Sequence, residues 1–153
     1  MKKTLLIIIA LLCASSLFAW EWTKEGDTVT VLPNEKSTIL NVSEDAPWFN
    51  SEYEKLKIII SEGITEIYDF TFKGSKNIAC VIIGSTVTRI GKEAFADCPN
   101  LEFVDLSESL ISIDDMAFFD CPKLNNLIIP GDGTELGKKV IGSSTPSNEL
   151  EEA

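Results

Sequence analysis

A unit of 23 residues recurs without a gap through the middle of this chain. Its copies run from Ile64 to Ile83, from Val87 to Leu106 and from Leu110 to Ile129. In the second and third the text is close to a formula, IGKEAFADCPNLEFVDL followed by IDDMAFFDCPKLNNLII. Self-similarity at a period in the twenties marks a solenoid, in which each unit buries its apolar side only against its neighbours. Most patterned residues in such a chain are structural, so the fold is easier to read than the function.

The apolar positions within a unit follow a clear logic. Leu101, Val104 and Leu106 match Ile78, Val81 and Ile83 in the copy before, and Leu124, Leu127 and Ile129 in the copy after. The last two of each set are two residues apart, which places both on one face of a strand. Ala94-Phe95 and Ala117-Phe118, with Thr71-Phe72 as a looser version, fit a short helical turn with Phe pointing inward. The expected architecture is therefore α/β: parallel strands alternating with short helical turns. Registered stacking gives one ladder of Phe72, Phe95 and Phe118 and another of Ile67, Ile90 and Ile113, both core.

The flanks differ in texture. Residues 20–47 read as an N-terminal β cap, a hairpin of Trp20–Thr23 and Thr28–Leu32 around Gly26-Asp27. Trp20, Trp22 and Trp48 are the large apolar groups available to seal that end. Repeats are expected over 48–141, opened by Asp45-Ala46-Pro47-Trp48. They close in a partial unit, Leu136–Ile141, which matches Ile90–Phe95 and has no strand after it. Residues 142–153, rich in Gly, Ser and Glu, read as a disordered acidic tail.

Residues 1–19 have the layout of a secretory signal peptide: Met1-Lys2-Lys3, the apolar run Leu5–Leu12, then small residues, with cleavage after Ala19. A lipoprotein reading would acylate Cys13, but bulky Leu12 precedes it. No second apolar segment follows, so no membrane insertion is expected after cleavage, and the protein is expected in the periplasm or at the cell surface of a bacterium. Removing 1–19 leaves 11 basic against 24 acidic residues, a net charge of −13. Such a chain repels phosphate backbones, which argues against nucleic acid as a partner. Cys98 and Cys121 share one repeat position, and Cys80 lies elsewhere in its unit. Stacking brings the pair within reach of a disulfide on distance alone; buried free thiols acting as small hydrophobes are the preferred reading.

The run TRIGKEAFADCPNLEFVDL resembles the BspA-like, Treponema-type class of leucine-rich repeat, and the resemblance extends over about residues 20–141. It implies a curved leucine-rich-repeat solenoid. Members of the class are exported or surface proteins of host-associated bacteria and some protozoa, several implicated in adhesion. Ser75 replaces the repeat cysteine, and Gly84 and Ser107 stand where proline is usual.

An enzyme is hard to build from these residues. The chain has no histidine, so Ser-His-Asp and Cys-His arrangements are ruled out. No Cys-x-x-Cys spacing or glycine-rich phosphate loop suggests a metal or cofactor, and Asp97, Asp115 and Asp120 follow no calcium-loop pattern. What remains is the strand face turned away from the core, the concave face of a solenoid. Alternation assigns it Lys57, Ile59, Cys80, Ile82, Phe103, Asp105, Asn126 and Ile128 as candidate partner-binding residues. Five of these are apolar, and an exposed apolar stripe marks a contact surface. The expected function is an exported, non-enzymatic protein-binding module, with adhesion as a possible setting. The alternative is a self-assembling structural protein of the cell envelope, in which the partner is a second copy.

Overall fold

A computed structural model describes residues 21–33, 37–41, 46–49, 52–131 and 133–144. The signal segment, Trp20 and residues 145–153 lie outside the described residues. In chain order the elements are β1 (Glu21–Glu25), β2 (Thr28–Leu32), β3 (Ile39–Leu40), one 3-10 turn (Pro47–Phe49), β4 (Leu56–Ile60), β5 (Glu66–Ile67), β6 (Ile78–Ile83), β7 (Arg89–Ile90), β8 (Phe103–Asp105), β9 (Ser112–Ile113), β10 (Phe118–Phe119), β11 (Glu135–Leu136) and β12 (Ile141–Gly142).

These short strands form the walls of a solenoid. The main sheet has the order β1-β2-β4-β6-β8. Only β1 runs antiparallel, paired with β2 through a turn at Gly26, whose φ of +58° glycine adopts without a Cβ penalty. From β2 onward neighbours are parallel. A second, all-parallel sheet of two-residue strands runs β3-β5-β7-β9-β11, and β10 pairs with β12. From β4 onward in the main sheet and β5 onward in the second the register is one repeat, apart from an irregularity between Leu56 and Lys57. Val81 sits between Ile58 and Val104, and Ile90 between Ile67 and Ile113. All of these side chains are buried, as alternation requires.

Between the two sheets runs the aromatic ladder. Phe72 and Phe95 stack with centroids 4.8 Å apart, and Phe95 and Phe118 at 5.1 Å, with rings within 6° of parallel. Trp48 covers the first ring at 4.6 Å. All four side chains are fully buried. The centroid spacing is close to the distance between strands, so the repeat itself imposes the stack.

The helical turn expected around each Phe does not form. In its place, alternate N–H groups point along the stack. Those of Phe70, Phe72 and Gly74 donate to the carbonyls of Lys92, Ala94 and Ala96 at 3.0, 2.8 and 2.9 Å. Glu93, Phe95 and Asp97 do the same to Asp115, Ala117 and Phe119. The intervening N–H groups of Lys73 and Ser75 close tight turns onto Phe70 and Phe72. An α-helix would spend these donors on carbonyls four residues back. Two left-handed residues four apart in each unit also break the helix: Phe70 and Gly74, Glu93 and Asp97, Met116 and Asp120, all with φ between 51° and 74°.

Two further differences lie at the C-terminal end. The expected strand over Leu124–Ile129 is absent, although Leu124, Leu127 and Ile129 still pack against the core. The closing unit, expected as a partial repeat over Leu136–Ile141, carries two two-residue strands, β11 and β12, the second reaching Gly142. It continues through Ser144, whose N–H and hydroxyl both donate to the Asp120 carboxylate.

Candidate functional site

The outward side of the main sheet carries two rows set by the strand register. One reads Thr28, Lys57, Cys80, Phe103 and the other Thr30, Ile59, Ile82, Asp105. Each is the pleat opposite a buried row, Val29–Ile58–Val81–Val104 for instance. The structure therefore brings six of the eight sequence-assigned residues side by side: Lys57, Ile59, Cys80, Ile82, Phe103 and Asp105. Asn126 and Ile128 are both exposed, but they lie in the unpaired segment after β8 and are not held in either row by strand pairing.

The rows form an apolar centre with charged edges. Ile59, Ile82 and Cys80 are half-buried by their neighbours, whereas Phe103, near the sheet's C-terminal edge, is 49 % exposed. Burial raises the Cys80 thiol above its ordinary value, Lys57 opposes the shift and Asp105 adds to it. Lys57 and Asp105 thus face one thiol from opposite sides. An apolar centre with a charged edge is the composition of many protein contact surfaces.

Sequence reasoning missed the other half of the face. Because β2 joins the sheet in parallel and in register, Thr28 and Thr30 extend both rows, and β1 adds Glu25 and Thr23 beyond them. The signal was available: Thr28-Val29-Thr30-Val31 alternates with both valines buried. The hairpin therefore builds the sheet as well as terminating it.

The remaining side-chain chemistry serves the stack. Asp69 accepts from the Lys92 N–H at 3.0 Å and Asp115 from the Lys138 N–H at 2.6 Å, each one repeat on. Glu62 likewise holds the N–H and hydroxyl of Ser85 at 2.8 and 2.9 Å. Arg89 bridges layers through Glu66 at 3.6 Å, Asp69 at 3.1 Å and Asp114. Two of the three carboxylates weighed for calcium, Asp115 and Asp120, are thus committed to inter-layer hydrogen bonds. Asp97 lies 3.7 Å from the Lys73 ammonium. Among the described residues, no group of three or more metal-binding side chains is gathered in one place. No helix there is long and apolar enough to cross a membrane.

Cys98 and Cys121 are free and buried. Their thiols donate to the carbonyls of Phe72 at 3.2 Å and Phe95 at 3.0 Å in the preceding layers. The adjacent Cys121 sulfur and burial push the Cys98 thiol well above its ordinary value. The hydrogen bond from Cys98 lowers the Cys121 thiol in turn, and both side chains pack in the core as members of one ladder.

Comparison with known proteins gives the same architecture. The sequence profile of the BspA type leucine-rich-repeat region matches residues 44–148 in six copies. The chain superimposes on the T. pallidum leucine-rich-repeat protein with a TM-score of 0.56 at 20 % identity, covering 81 % of this chain and 52 % of that one. It superimposes on the pneumococcal vaccine antigen PcpA at 0.60 and 21 %, covering 78 % and 27 %. A leucine-rich-repeat protein from Eubacterium ventriosum gives 0.57 and 22 %, covering 82 % and 34 %. The chain therefore spans about half the length of the first of these proteins and less of the other two. No curated protein matches it.

Proposed function

The chain belongs to the BspA-type leucine-rich-repeat family, and on that premise we propose that it is a non-enzymatic protein-binding module working through the outward rows of its main sheet. The observation that carries this reading is the alignment of Ile59, Ile82, Cys80 and Phe103 on adjacent strands, with half of the Phe103 surface open to solvent. Single exposed apolar residues are ordinary on soluble proteins, but several joined across one sheet mark a contact surface. Thr23, Thr28 and Thr30 flank it with hydroxyls, and Lys57 and Asp105 supply one charge of each sign for orientation. The start of the chain, with Lys2-Lys3 before the run Leu5–Leu12, supports export, and adhesion is the setting that the family suggests.

The test is binding of the purified chain to immobilised host extracellular-matrix proteins, compared with the Phe103→Asp and Ile82→Glu variants. Ile111→Asp, an exposed residue away from the main sheet, serves as control. Capture lost in both face variants and kept in the control is expected. Capture that is equal in all four proteins would overturn the proposal. Protease treatment of intact cells tests the location, since digestion of the chain is expected only if it reaches the surface.

A further inference from the structure

Away from the main sheet, acidic side chains tie the layers together. Asp69 and Asp115 accept N–H groups one repeat on, and Arg89 spans Glu66, Asp69 and Asp114. Around the outward face the acids have no such task. Glu25 pairs with Thr28 at the end of β1, Asp27 forms the turn into β2, Glu102 immediately precedes β8, and Asp105 completes the row Thr30, Ile59, Ile82. All four are exposed, and among the described residues none of them is in an ion pair. The bases in or beside these strands are Lys24, Lys55 and Lys57. Lys24 lies opposite Val29 and so takes the other pleat, where its ammonium donates to the Gly26 carbonyl and sits over the Tyr53 ring.

We infer that the outward face takes a basic protein segment, one that presents Lys or Arg groups beside its apolar side chains. This rests on the face proposed above and adds the chemistry of what occupies it. Asp105 stands beside Ile82 on the neighbouring strand and two residues from Phe103, so a partner that covers the apolar centre also strips water from its carboxylate. Removing a charge from water is costly unless an opposite charge replaces the lost hydration. Lys57 lies two strands away and forms no ion pair with it. An acidic partner would meet repulsion from Glu25, Asp27 and Glu102 along the rim where the parallel strands begin. The wider field acts in the same direction: residues 20–153 hold 11 basic against 24 acidic residues, a net of −13. Of these, the residues outside the description contribute seven acids and one base, Lys36, so they deepen the imbalance.

Short synthetic peptides of alternating Val and Lys, Val and Glu, or Val and Ser, each carrying a fluorophore, test the assignment by fluorescence anisotropy against the purified chain. The Val-Lys peptide is expected to bind, the Val-Ser peptide more weakly and the Val-Glu peptide least, and raised salt should weaken the first. Glu102→Gln combined with Asp105→Asn should weaken Val-Lys binding about three- to tenfold. Glu66→Gln combined with Glu135→Gln, the same change of charge on the second sheet, should leave it unchanged. Phe103→Ser, which alters no charge, should weaken it. Equal binding of the Val-Lys and Val-Glu peptides would overturn the inference. So would equal weakening by both charge pairs, the result that diffuse attraction to an acidic protein would give. Matrix-protein capture that depends on Phe103, with no Val-Lys binding, would also overturn it and leave the face itself standing. Capture and peptide binding that are both indifferent to Phe103 would remove the face and the inference together.

Discussion

Ser75 occupies the ladder position held by Cys98 and Cys121 in the next two layers, and replacing it should stabilise the protein. Its side chain is fully buried, and among the described residues its hydroxyl has no hydrogen-bond partner. The cysteines that follow donate to Phe72 and Phe95 in the layers before them. A desolvated, unpaired hydroxyl costs about 1–3 kcal/mol. Ser75→Ala removes that cost and leaves an atom-sized void, which at about 24 cal/mol per Å³ subtracts only a few tenths of a kcal/mol. The net gain is about 1 kcal/mol at the lower limit, or roughly 4 °C in Tm for a domain of this size. Ser75→Cys fills the void with the chemistry of the other layers and should gain at least as much. Urea unfolding followed by circular dichroism measures both variants. Destabilisation of both by about 1 kcal/mol or more would show that the hydroxyl is satisfied and that the ladder argument is wrong at this layer.

Three further outcomes follow from the same packing. Gly91→Ala would set a Cβ 2.6 Å from the Asp69 nitrogen, so it should cost more than about 2 kcal/mol. Gly74→Ala, at φ +74° with open space around it, should cost only about 1–2 kcal/mol of backbone strain; equal losses in urea unfolding would refute the close-approach account. Phe95→Leu keeps an apolar side chain but removes both ring stacks, and should cost about 1–3 kcal/mol, whereas an unchanged unfolding midpoint would show that the stack contributes nothing beyond area. The backbone N–H and then the hydroxyl of Ser85 hold Glu62 below its ordinary carboxylate value. That lowered value means its contribution is full above the unfolded-chain value and is lost as pH falls through the folded one. A carboxyl titration by NMR should show a depressed midpoint that rises in Ser85→Ala, and a midpoint insensitive to that change would remove the assigned cause.

How much of this was legible in the sequence depends on the length scale of the signal. The 23-residue period identified the parallel strands, because Val81, Val104 and their partners recur at one offset, and it identified the Phe and Ile ladders as core. It misread the Phe-bearing turn. Ala94-Phe95-Ala96 has helical composition, but the left-handed residues Glu93 and Asp97 carry no distinctive residue type, and the sideways hydrogen bonds exist only once layers stack. The strand over Leu124–Ile129 fits its sequence, and only the pairing pattern shows that β8 ends the main sheet. The second sheet was read only as a column of isoleucines, since two-residue strands such as Arg89–Ile90 leave no alternation to detect. On the outward face the alternation rule correctly grouped Lys57 through Asp105. It missed Thr28 and Thr30 because a hairpin at the end of a repeat array reads first as a cap.

Everything said of the outward face depends on one register, in which Cys80 stands directly beside Phe103 and turns away from the core. Phe103→Cys places a second thiol in that row, and a short bifunctional thiol reagent followed by peptide mapping reads which sulfurs it joins. The account predicts a bridge from position 103 to Cys80, with Cys98 and Cys121 unmodified in the folded protein. No bridge, or a bridge from position 103 to Cys98 or Cys121, would contradict both the one-repeat register and the assignment of the partner-binding face.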